Sequence, residues 1–150
     1  MDFADRDELI EALTVLLEAE RAGARVGASL VGDAPDPEME ALSEAIEADE
    51  IRWARALFEA LVALQAEPSD KVADFFEKAI VIEDFERRLA FTNRGQAWVV
   101  RRLQELIPRV EDGGLAGMLQ AMHDAHVANI GTANDALEAR GHPVPPQARV

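Results

Sequence analysis

Apolar residues recur at 3.6-residue spacing through four long stretches of the chain, and no stretch sustains the period-two alternation of a strand. Four breaks punctuate this pattern: Gly32–Pro37, Glu67–Asp70, Pro108–Gly114 and Gly141–Pro146. Each carries proline or glycine residues that a helix interior does not tolerate well. The spacing predicts helices near 6–31, 38–66, 71–107 and 112–140, with Ser69 or Asp70 and Asp112 placed to cap the last two. The third segment is too long for its neighbours, so it is expected to break around Lys78–Ile80 and leave a short leading helix over about 71–79. The expected fold is all-α: a four-helix bundle over residues 1–140, with a short extra helix between helices 2 and 3. Residues 141–150 follow as a Pro-rich, polyproline-like tail.

Each apolar stripe is interrupted by polar residues. Glu20 falls among Leu13, Leu16, Leu17 and Gly27, and Glu50 and Trp53 fall among Ile46, Leu57 and Leu61. Helix 4 places His123 and His126 with Leu119, Met122 and Ile130, while helix 3 places Glu86, Asn93 and Gln96 with Leu89, Val100 and Leu103. Counting residues from the loops at about 1.5 Å of rise each puts Glu20, Glu50, Asn93, His123 and His126 near one level, with Glu86 one or two turns away. Carboxylates and imidazoles that point inward at one depth suit a divalent metal such as iron, manganese or zinc, and no organic cofactor is implied. The competing reading is a buried polar network, satisfied by nearby arginines, in a metal-free scaffold or interaction protein acting as a homodimer.

Composition narrows the partners. Fifteen Lys and Arg oppose 29 Asp and Glu, a net charge of −14 that repels nucleic acids and anionic membrane surfaces. The chain has no cysteine, which excludes disulfides, thiol nucleophiles and cysteine-ligated metals. No apolar run is long enough to span a bilayer, and the acidic N-terminus does not read as a signal peptide, so the expected location is the cytoplasm. Phe58, Phe76, Phe91 and Trp98 lie off the main stripes, which predicts a homodimer through helix faces.

The segments Leu16-Leu17-Glu18-Ala19-Glu20-Arg21-Ala22-Gly23-Ala24 and Asn93-Arg94-Gly95-Gln96-Ala97-Trp98-Val99-Val100 resemble a small uncharacterised bacterial ferritin-like family. More broadly, the inward Glu20, Glu50 and His126 resemble the ferritin-like superfamily of rubrerythrins and bacterioferritins. That superfamily holds two irons with Glu, Glu-x-x-His, Glu and Glu-x-x-His from four helices. The resemblance implies that Glu20, Glu50 and His126 are metal ligands, with Trp53 near the site where the helix 2 histidine would stand. His123 stands where a glutamate would be, and Asn93 replaces the helix 3 glutamate unless a register shift brings in Glu86. A single metal, or no metal, fits these residues better than a di-iron centre, and with a metal the chain reads as a degenerate oxidoreductase.

Overall fold

The computed structural model describes residues 2–150, and among them all regular structure is helical. Four long helices, α1 (Arg6–Asp33), α2 (Pro37–Ala63), α4 (Phe85–Leu106) and α5 (Gly113–Ala139), are joined by a short α3 (Phe75–Ile80). None of them is long and apolar enough to cross a membrane.

Every long helix starts at an aspartate whose carboxylate accepts a first-turn backbone N–H: Asp5 from Glu8, Asp36 from Met39, Asp84 from Arg87 and Asp112 from Leu115. Such caps satisfy donors that the helix leaves open, and each contributes about 1 kcal/mol. Asp5 and Glu8 complete a reciprocal capping box. At its other end α2 stops where Gln65 enters the left-handed region at φ 59°, and Pro68 follows.

The sequence places the third helix too early. Residues 66–73 form no helix, so neither Ser69 nor Asp70 caps one, and the short helix occupies 75–80 rather than 71–79. The irregular segment is held by α1 instead. Arg21 donates to the Ser69 and Lys71 carbonyls, and the Ala73 N–H donates to the Glu18 carbonyl at 3.0 Å. These contacts replace the backbone bonds that a helix would have made.

Pairings at the two ends fix the directions of the helices. The start of α1 meets the end of α2 through Arg6 and the Leu64 carbonyl, and the end of α4 through Arg109 and Glu8 at 2.9 Å. At the opposite end, buried Arg88 of α4 meets Asp33 of α1 at 2.6 Å, and Arg140 of α5 meets Asp36 of α2 at 2.7 Å. So α1 and α5 run one way, α2 and α4 the other, and the α2–α4 connection travels the whole length of the molecule. Neighbours around the ring are α1–α2–α5–α4, with α1 and α5 diagonal.

Most of the core falls into two apolar layers, beside a smaller cluster of Ala97, Val100 and Ile130. One gathers Leu13, Leu16, Leu17, Trp53, Leu57, Leu61, Leu103, Leu119 and Met122, and the other Val26, Leu30, Met39, Ile46, Leu89, Ala133 and Leu137. Each buried leucine contributes about 1.5–3 kcal/mol. Between the layers, at mid-height, the helices present polar side chains to one another.

The tail is not a free polyproline segment. It folds back along α4 and α5, burying Ala148, whose carbonyl accepts from Asn134 Nδ2 at 3.1 Å. Arg149 pairs with Glu138. Phe76 and Phe91, expected to face a second copy, are half-buried within the chain. Phe91 stacks on Phe75 with ring centroids 5.0 Å apart. Phe58 and Trp98 do remain exposed.

Candidate metal centre

Glu20 of α1, Glu50 of α2 and His126 of α5 meet in the polar layer, each at most 3% exposed. His126 Nε2 lies 2.9 Å from Glu20 Oε1 and 3.5 Å from Glu50 Oε1. One ligand atom from each residue falls within 4.8 Å of the others. Both measured separations are spans that two ligands of one ion, each about 2.0–2.2 Å away, can have.

The orientation of the imidazole decides what this site can hold. His126 Nδ1 lies 2.9 Å from the Met122 carbonyl, which can only accept, so Nδ1 carries a proton. In the neutral ring Nε2 is then a bare lone pair aimed at two carboxyl groups. A proton or a cation must lie between them, since lone pairs facing carboxylate oxygens repel. Anchoring one ring nitrogen on a backbone carbonyl is also how metal-binding histidines are commonly oriented.

Burial raises the Glu20 carboxyl from 4.5 to about 8, opposed by its hydrogen bond with Glu50 and aided by the charge of Asp49. Burial, then the Glu20 charge, pushes Glu50 well above the usual carboxylate range, against a pull from His126. Two carboxyl groups in so dry a place cannot both ionise without a compensating cation.

The remaining polar residues expected in this layer lie elsewhere. His123 is only half-buried on the flank of α5, where Nδ1 meets Asp124 at 2.9 Å and Nε2 meets Gln104 at 3.3 Å. Asn93 donates to the Ile130 carbonyl at 3.2 Å and to Asn134 Oδ1 at 2.8 Å, about one to two turns beyond His126. There it joins Asn134 in tying down the tail. Glu86 sits half-buried in the first turn of α4, where its charge acts on Arg140. Trp53 is buried one turn from Glu50 and its indole N–H has no partner among the described residues.

Two residues not counted among the candidate ligands shape the site. Gly23, one turn after Glu20, leaves room for Glu50: a Cβ there would lie 2.7 Å from the Glu50 carboxyl carbon. Glycine inside a helix costs about 1 kcal/mol against alanine, so its place beside an inward glutamate was a readable signal. Gln96 is a buried polar side chain of α4 that borders the same space as Glu20 and Glu50. It is 4% exposed, and neither end of its carboxamide finds a partner among the described residues.

That space is the inner end of a cleft of about 500 Å³ between α1 and α4. Phe75 of α3 covers one side, its ring seated against Gly95, where a Cβ would come within 2.6 Å. Gln147 of the folded-back tail borders it as well.

No curated protein and no solved structure matches the chain. Residues 7–136 match a family model described as "Domain of unknown function (DUF6306)". The match covers α2 and α4, all but the ends of α1 and α5, and the candidate centre, and the chain belongs to this family.

Proposed function

We propose that this protein binds one divalent metal ion (iron, manganese or zinc) through Glu20, Glu50 and His126 inside a ferritin-like four-helix bundle. The observation that carries the reading is His126 Nε2, unprotonated in the neutral ring and facing two buried carboxyl groups. Two glutamates and one imidazole make a hard, mixed donor set suited to these metals, and three protein ligands leave coordination positions open toward the cleft. The single long crossover between α2 and α4 supports the ferritin-like arrangement, which has one such connection.

Metal analysis of protein purified without chelator or affinity tag tests this directly. One ion per chain is expected, and none in the His126→Ala variant. Absence of stoichiometric metal, together with no binding of added Fe²⁺, Mn²⁺ or Zn²⁺, would remove the reading.

A second reading rests on the same 2.9 Å contact, which is also a hydrogen-bond length, and on the bond between Glu20 and Glu50. Shared protons then satisfy the three groups in a metal-free scaffold. Ile51, Phe58 and Val62 form an exposed apolar stripe at helical spacing on α2, and this stripe supports a homodimer. Light scattering at tens of micromolar should report twice the chain mass, and a monomer would refute the dimer alone.

A further inference from the structure

We infer that the cleft between α1 and α4 binds a small, neutral, largely apolar molecule carrying a carboxamide head, held by Gln96. The cavity, at about 500 Å³, lies within the roughly 300–1,000 Å³ range of small-molecule sites. Its walls are apolar, formed by Val15, Ala19, Phe75, Phe91 and Trp98. At its inner end Gln96 is nine-tenths buried, with both amide nitrogen and oxygen unpaired among the described residues. Buried polar groups nearly always have partners, so an unpaired carboxamide beside a cavity marks where a partner is missing.

The geometry of the Gln96 carboxamide selects the head group. A carboxamide presents one acceptor and two donors in a plane, and the group that answers donor with acceptor and acceptor with donor is another carboxamide. Charge points the same way. The buried inner end disfavours any charged head, which would lose its water there unpaired, while the rim carries Glu18 and Asp74 against Arg94 and Arg101 and so favours neither sign. The inference stands on Gln96 and the cleft walls, apart from the metal reading.

Calorimetric titration of chelator-treated protein with 3-phenylpropanamide tests it, with 3-phenylpropanoate as the charged isostere. Saturable binding of one amide per chain is expected, with the Gln96 side-chain amide shifting in NMR spectra and the acid binding at least tenfold more weakly. Gln96→Leu keeps the volume and should keep the helical circular dichroism, yet weaken amide binding about tenfold. Val15→Trp, which fills the cleft without touching Gln96, should abolish binding. Absent saturation, equal binding of amide and acid, or an unaffected Gln96→Leu variant would each overturn the inference. Because these titrations are done without metal, their failure leaves metal binding intact, and a metal-free protein leaves the amide result intact.

Discussion

Glu50 occupies the space that a side chain at residue 23 would need. The carboxyl group of α2 lies against the bare backbone of α1, one turn from Glu20, and only glycine admits it. Gly23→Ala should therefore act as a site mutation. The helix gains about 1 kcal/mol of propensity and loses about 1–3 kcal/mol to crowding. Metal affinity should fall tenfold or more as Glu50 is pushed aside, while the melting temperature changes by only a few degrees. Calorimetric metal titration beside thermal melts separates the two effects, and undiminished affinity would mean that Glu50 is not a ligand.

The pH dependence of the metal-free protein follows from Glu20. Its folded carboxyl titrates near 8 and its unfolded one near 4.5, so the native state binds the extra proton between those values. Stability from this group is complete below about 4.5 and is lost as pH rises through about 8. Melts in chelator should show the melting temperature falling over that window. Glu20→Gln should flatten the fall and raise stability at pH 9, at the expense of metal binding. A melting temperature that climbs from pH 5 to 8 in the unmodified protein would contradict the burial of a protonated Glu20.

Metal binding has the opposite sign. The ion must displace the proton that Glu20 retains, so affinity should drop as pH falls below about 8. Isothermal titrations at pH 6, 7 and 8 would show this, along with proton release that depends on buffer ionisation.

Trp53 offers an optical report on the same event, since it is buried one turn from Glu50. Mn²⁺ or Fe²⁺ should quench part of the tryptophan emission, and His126→Ala should lose the quenching while keeping its helix content. Persistent quenching in that variant would place the ion elsewhere.

Gly95 predicts the behaviour of the covering helix. Gly95→Ala forces the Phe75 ring off α4, with a destabilisation of about 1–3 kcal/mol. Hydrogen exchange should quicken in residues 73–80 and remain slow in α5. Uniform protection would show that the packing of the Phe75 ring against α4 does not hold α3.

Glu20, Glu50 and His126 were legible because each sits in the middle of an apolar stripe, where leucine costs less. His123 misled because it follows Met122 by one residue, a rotation of about 100° that carries it to the flank of α5 and its partners Asp124 and Gln104. The depth count places Asn93 near the level of His126 and assigns no level to Gln96. The chain was taken to reverse near residue 110, but α4 continues into a turn at Ile107–Arg109 and Val110 still packs in the core. Reversal falls at Asp112, which slides α4 against α5 by about one turn. The contacts of residues 64–74 with α1 were not legible at all, since they depend on carbonyls meeting Arg21 across 48 residues of chain.

The crossover between α2 and α4 divides the molecule into two helical hairpins, and the candidate centre straddles them. Glu20 and Glu50 belong to the first hairpin, and His126 alone comes from the second. Each hairpin closes through a short connection, whereas their docking must close a much longer loop, the slower step in folding. Docking is also the moment when both carboxyl groups lose water. An ion bound there would join the halves as a clasp, lending its binding energy to the late step of assembly rather than to either hairpin.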